Sequence, residues 1–130
     1  MLFRSCRAWN SALEDEPLLG AEFFSRLAPR LRLGLLSNTD PIHVRHFESE
    51  FEILSLFPVR LYSCEMGLRK PSPGVYQRAI AAVGAAAERV LYVDDAKEFV
   101  EAGERAGLQG YHYQSSTELT AHLAERGLWS

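Results

Sequence analysis

Four side chains in this sequence are of the types that handle phosphate. Ser37 offers a hydroxyl at the end of an apolar run, and the amides after it open a helix, where anions bind. Lys70 offers a positive charge. Asp94 and Asp95 are adjacent carboxylates that end the run Arg89-Val90-Leu91-Tyr92-Val93, and such oxygens suit a hard cation like magnesium. Hydroxyl, ammonium, metal and amides together would grip a phosphoryl group and spread the charge it develops in reaction. Taken singly each is ordinary: a Ser-Asn turn, a solvated lysine, a helix cap. Their order along one chain makes them specific.

The elements that must bring them together follow from periodicity. Residues 3–14 read as a helix with Phe3, Ala8 or Trp9, and Leu13 on its apolar side. Glu14-Asp15-Glu16-Pro17 breaks it, and a second helix runs from Ala21 to Leu27. Residues 31–36 are the first convincing strand, running into Ser37-Asn38-Thr39-Asp40-Pro41. Asp40 suits a cap and Pro41 the first helical turn. That helix carries Val44, Phe47, Phe51 and Leu54 inward. A shorter strand, 59–63, leads through a loop to a helix from Pro73 to Val83, which Gly84 stops. The strand ending in the two acids follows, then a helix over 96–107 and a strand over 109–113. Ser115 and Glu118 form a capping box for a last helix reaching about Arg126.

Strand and helix alternate after the first two helices, which predicts a three-layer α/β domain with a mostly parallel sheet. Ligands in such sheets sit beyond the carboxyl ends of the strands, where Ser37 and the acid pair fall and which Lys70 can reach.

Composition narrows the partners. The 130 residues suit one domain with one core. Hydrophobic residues are 47% and charged residues 24%, ordinary globular values that argue against disorder. The net charge is -3 with no basic block, so nucleic acid is not an expected partner. No run is long enough to span a membrane and none resembles a secretory signal, so a cytoplasmic protein is expected. Cys6 and Cys64 match neither a disulfide framework nor a zinc pattern, and read as free thiols and small core residues. His43 and His46 share a helix face without a third ligand and read as helix surface. His112 and His122 look isolated. Receiver domains also use an acid pair and a lysine, but in the reverse order.

Leu35-Leu36-Ser37-Asn38-Thr39, Gly67-Leu68-Arg69-Lys70-Pro71-Ser72-Pro73 and Val93-Asp94-Asp95 resemble the second, third and fourth motifs of the haloacid dehalogenase-like (HAD) hydrolases. The similarity runs from about Trp9 to Leu128 and is nearest the phosphatase-like branch with a small helical cap. It implies a magnesium-dependent phosphatase-type site. Ser37 and Asn38 would contact phosphate, and Lys70 would steady phosphate and nucleophile as a catalytic residue. Asp95 would bind the metal directly, with Asp94 acting directly or through water.

The family's first motif, D-x-D at the end of the central strand, supplies the aspartate nucleophile and the acid–base aspartate. No D-x-D occurs in this chain. Phe99 also stands where these phosphatases often place a polar residue near the metal. The expectation is a core, residues 29–130, lacking its first strand, preceded by cap-helix remnants over 1–28. A second reading makes residues 1–6 a degenerate first strand with Arg4 in the nucleophile's place. Either way the covalent route is closed, and two adjacent acids bind magnesium weakly if at all. A missing central strand would leave two open edges, which the flanking strands could close directly or a homodimer could cover. Two functions stay open. One is an N-terminally truncated phosphatase, inactive as it stands, with a small phosphorylated substrate only if activity survives. The other is a naturally short, non-catalytic binding or assembly module.

Overall fold

Short apolar runs become strands here, and the strands over residues 33–37 and 91–94 divide their side chains between two cores. The computed structural model describes residues 2–5, 21–50 and 52–129. Its sheet has five parallel strands: β1 (Leu2–Ser5), β2 (Leu33–Ser37), β3 (Val59–Tyr62), β4 (Leu91–Asp94) and β5 (Gln109–His112), in the order β3-β2-β1-β4-β5. The helices are α1 (Ala21–Leu27), α2 (Pro41–Glu50), α3 (Ser63–Met66), α4 (Pro73–Val83), α5 (Lys97–Arg105) and α6 (Ser116–Glu125). Single 3-10 turns at Glu52–Leu56 and Ala87–Arg89 complete the described elements.

Leu33 and Leu35 of β2, and Leu91 and Val93 of β4, pack on one face with Phe23, Phe24 and Leu27 of α1 and Leu119 and Leu123 of α6. Leu36 and Tyr92 face the other way, onto Val75, Tyr76 and Ala79 of α4 and Ala102 of α5. Two cores on opposite faces of one parallel sheet make the expected three layers.

The central place is filled. Phe3 of β1 is in register with Gly34 on one side and Tyr92 on the other, and Arg4 with Leu35 and Val93. Two expectations are corrected by this: the helix from residue 3, and the core lacking its first strand. The second reading, a degenerate first strand, describes what forms. The reason is tertiary: a four-residue strand is stable when β2 and β4 both offer it ladder hydrogen bonds. The opening that would have called for pairing by a second copy is therefore occupied by the chain itself. The rest of the expected helix over 3–14, and most of the cap remnant, lie outside the described residues.

Other boundaries shift little. α2 ends at Glu50, so Leu54 packs from the following 3-10 turn rather than from the helix. Ser115 caps α6 by accepting a hydrogen bond from the Glu118 amide at 3.2 Å, as the capping-box pattern required. Cys64 is an exposed free thiol, not a core residue. Cys6 lies outside the described residues. Among the described residues no helix is long and apolar enough to cross a membrane.

Candidate functional site

β1 marks the point where the chain stops adding strands to one side of the sheet and starts adding to the other. In open α/β sheets the crevice at such a point, beyond the carboxyl ends, takes ligands. Ser37 ends β2 and Asp94 ends β4, so both stand at this crevice, one on each side of β1.

Lys70 is brought there by its loop. Gly67 closes α3 in the left-handed conformation, φ 70°, with its amide bonded to the Ser63 carbonyl at 3.0 Å. Glycine takes this conformation without the steric cost a Cβ would impose. The turn feeds a loop whose Lys70–Pro71 peptide is cis. The side-chain amide of Asn38 then clamps Lys70 by both its main-chain groups. Its Nδ2 donates to the Lys70 carbonyl at 3.0 Å, and its Oδ1 accepts from the Lys70 amide at 2.9 Å. Ser63 Oγ bridges Thr39 in the same manner, accepting from its amide and donating to its carbonyl. The loop after β2 and the loop after β3 are thus tied together.

With its backbone held, Lys70 turns inward and is only 2% exposed. Its Nζ donates to Asp94 Oδ2 at 3.0 Å and to the Leu36 carbonyl at 3.3 Å. The Phe99 ring lies 5.0 Å from Nζ, within cation–π range. Phe99, read from sequence as an apolar intruder beside a metal, therefore packs under the ammonium.

Asp94 is fully buried and fully engaged. Besides Lys70, its Oδ2 accepts from the Tyr92 hydroxyl at 2.5 Å, and its Oδ1 accepts from the Ala96 amide at 2.9 Å. Burial pushes the Tyr92 phenol far above its ordinary range, and the Asp94 charge adds to this. Tyr76, whose ring meets that of Tyr92 edge to face at 5.5 Å, is pushed up to about 12, chiefly by burial. Its hydroxyl donates to the Phe99 carbonyl at 2.9 Å. Both tyrosines are therefore neutral donors near neutral pH.

Asp95 is half-buried beside this network. His112 Nε2 lies 3.0 Å from the Asp95 carbonyl oxygen. A carbonyl only accepts, so that nitrogen carries the proton. Ser37 is 1% exposed, and its Oγ is buried without a hydrogen-bond partner among the described residues. An unsatisfied buried hydroxyl costs free energy unless a ligand or water meets it.

The structure brings Ser37, Lys70 and Asp94 to one crevice, with Asn38 turned to the Lys70 backbone. Two contributors, Tyr92 and His112, escaped the sequence reading. Tyr92 had a signal: two residues before Asp94 on a strand, it must share that residue's face. His112 had none, because its level with Asp94 comes from the pairing register of β4 and β5. Phe99 was noticed for its place near the metal, not for its contact with Lys70. His43 is the helix-surface residue expected, its Nδ1 2.6 Å from Oδ2 of the capping Asp40.

Comparison with known proteins points the same way. A family model described as haloacid dehalogenase-like hydrolase matches residues 6–107. Among solved structures, an uncharacterized protein from Corynebacterium glutamicum superposes with a TM-score of 0.74 at 24% identity, over 99% of this chain and 96% of that one. A predicted HAD-like family hydrolase from Porphyromonas gingivalis gives 0.67 at 30% identity, over 85% of this chain and 56% of that one. A HAD family enzyme from Bacteroides thetaiotaomicron, in complex with magnesium and inorganic phosphate, gives 0.67 at 21% identity, over 72% of this chain and 50% of that one. The chain thus spans about half the length of the last two.

Proposed function

Because the chain belongs to the haloacid dehalogenase-like hydrolase family, we propose that its crevice binds a phosphate or phosphomonoester group and does not hydrolyse it by the covalent aspartyl route. The observation that carries this is the end of the central strand. β1 runs Leu-Phe-Arg-Ser, so the two residues that flank its exit toward the crevice are Arg4 and Ser5, not carboxylates. A phosphoryl group between Ser37 and Lys70 would meet no aspartate on β1 to attack it, which leaves water as the nucleophile.

What remains can hold an anion. Ser37 Oγ would donate to a phosphate oxygen, which removes the cost of its present burial. Asn38 could add its main-chain amide, since its side chain is spent on Lys70. Lys70 would supply charge, partly offset by Asp94.

Magnesium, which accompanies phosphate in the Bacteroides thetaiotaomicron relative, does not fit these donors. An octahedral ion wants six oxygens. Asp94 has both oxygens committed to Lys70, Tyr92 and Ala96, and the described residues hold no group of three or more histidines, cysteines or carboxylates suited to a metal. Weak or no magnesium binding is therefore part of the proposal.

Calorimetric titration with inorganic phosphate, and turnover of p-nitrophenyl phosphate with magnesium, test the reading together. Phosphate should bind the wild type, Ser37→Ala should weaken it about tenfold, and no phosphate should be released. Release that is abolished by Asp95→Asn would overturn the proposal.

A second reading has one observation in its favour: the half-length coverage of the Porphyromonas and Bacteroides proteins. In it, magnesium-dependent phosphatase activity belongs to a longer form with a D-x-D strand upstream. That strand would have to displace β1 from between β2 and β4. Expressing the upstream reading frame with this chain and assaying phosphate release decides between the two.

A further inference from the structure

The opposite end of the sheet carries a cavity with a different character. Its volume is about 510 Å³, within the range of small-molecule pockets, and its rim carries Arg30, Arg32, Arg89 and Arg126. Leu31, Val83, Leu91 and Leu128 give it an apolar floor, and among the described residues no acidic one lines it. Arg32 lies just before β2, Leu91 and Gln109 begin β4 and β5, and Leu2 of β1 is in register with Leu33 and Leu91. The cavity therefore sits at the amino ends of the strands, a sheet's length from Ser37 and Asp94. In a chain of net charge -3, four arginines around one hollow, with no acid among its described lining residues, are a local reversal of sign.

Two of the four are already held in place. Arg126 Nη1 donates to Gln109 Oε1 at 2.5 Å, and its Nε donates to His122 Nε2 at 3.1 Å. The same Gln109 donates through Nε2 to the Glu88 carbonyl, which ties the end of α6 to the 3-10 turn bearing Arg89. Arg32 donates to the Val83 carbonyl at 3.3 Å. Each bond uses one donor of a guanidinium that has five. Among the described residues the side chains of Arg30 and Arg89 have no hydrogen bond and no ion pair. Like charges gathered with no counter-charge among the described residues repel one another, so the cluster gains most from an anion that meets several of them.

We propose that this cavity binds a small molecule carrying vicinal phosphates on an apolar or aromatic body, the chemistry of a nucleoside diphosphate. The arginines bind phosphate oxygens in the paired geometry that guanidinium favours. The leucine and valine floor takes the body. An extended nucleic acid backbone fits less well, because the chain carries a net charge of -3 and its sequence has no basic block.

Calorimetric titration of the full chain at fixed salt tests this, with ADP as probe and inorganic pyrophosphate and adenosine as its two halves. ADP should show one tight site, distinct from any weaker binding at the crevice, pyrophosphate should bind more weakly, and adenosine should show no saturable binding. The double variant Arg30→Ala/Arg89→Ala removes side chains that hold nothing in the fold, and should lower ADP affinity about a hundredfold, roughly tenfold per lost charged contact. Ser37→Ala should leave ADP affinity unchanged. The assignment is overturned if ADP does not saturate, if adenosine binds as well as ADP, or if pyrophosphate binds as well as ADP. It is equally overturned if Ser37→Ala abolishes ADP binding while the double arginine variant keeps it, since the ligand would then occupy the crevice at the other end. Failure here leaves the phosphate titration of the crevice untouched, so the two readings stand or fall separately.

Discussion

Replacing Asp94 with asparagine should cost far more stability than a conservative exchange suggests. The carboxylate is fully buried, and its partner Lys70 has a side chain only 1% exposed, with Nζ 3.0 Å away. Asparagine keeps an oxygen for the Ala96 amide, now bonded at 2.9 Å. It loses the charge that balances the ammonium and the acceptor of the Tyr92 hydroxyl. Of the contacts Lys70 makes here, the Leu36 carbonyl and the Phe99 ring are neutral, and Asp94 is the carboxylate at salt-bridge distance. Breaking a buried pair on one side typically costs about 3–5 kcal/mol, against a total of about 5–15 kcal/mol for a domain of this kind. With a urea m-value near 2 kcal/mol per molar, the unfolding midpoint should fall by about 2 M. The double variant Lys70→Met/Asp94→Asn removes the ammonium as well, so it should be more stable than Asp94→Asn alone, with a coupling of about 2 kcal/mol in the cycle. Urea unfolding followed by circular dichroism, with m checked for constancy, measures all four proteins. If each single change costs under about 1 kcal/mol and the coupling is near zero, the pair behaves as an exposed one. The account of Lys70 and Asp94 as a buried brace would then be wrong.

Three further outcomes follow from other features. Gly103→Ala puts a Cβ 2.6 Å from Tyr92 Cδ2 inside a filled core, so overpacking of roughly 1–3 kcal/mol outweighs the gain of about 1 kcal/mol in helix propensity, and urea unfolding should show net destabilisation. Burial, then the Asp94 charge, raises Tyr92 above the ordinary phenol value near 10, so the unfolded chain loses that proton first. Its contribution is complete below that value and lost as pH rises above it, and Tyr92→Phe should flatten the loss of urea midpoint between about pH 9 and 11. His122 is lowered by burial first and then by Arg126, so its contribution is present above about 6.5, the ordinary value, and falls as pH drops through the folded value. His122→Gln should therefore reduce, slightly, the fall in melting temperature between pH 7.5 and 5, because the imidazole is only half-buried.

The parts of this structure legible in the sequence are those fixed by neighbours in the chain. Asp40 and Pro41 opening α2, Gly84 closing α4 at φ 68°, and the Ser115–Glu118 cap of α6 each act within one turn. The order Ser37, Lys70, Asp94 was also readable, because three strand-to-helix junctions of one parallel sheet must share an end. What escaped depends on partners far away. β1 is four residues long, and its polar Arg4-Ser5 end resembles a helix start until β2 and β4 are beside it. His112 reaches the Asp95 carbonyl only because β5 pairs in one register and not the next. The arginines of the amino-end cavity come from three separate junctions, so no window of sequence contains them.

The two ends of the sheet also differ in how they are balanced, and this decides which should hold an anion more firmly. At the carboxyl ends, Lys70 is neutralised by Asp94 at 3.0 Å, and Asp95 adds a further carboxylate. An arriving phosphate gains little net Coulomb energy there, so its hold comes from short-range donors such as Ser37 Oγ. At the amino ends the attraction is a sum over several guanidinium groups with no acid among the described lining residues. Salt screens the second kind of binding more than the first, since it acts between exposed charges over several ångströms. Raising salt from 50 to 300 mM should therefore weaken ADP at the arginine cavity several-fold while changing phosphate at the crevice much less. Equal salt dependence at both would mean that Lys70 acts on the ligand as an unbalanced charge, and that Asp94 does not neutralise it.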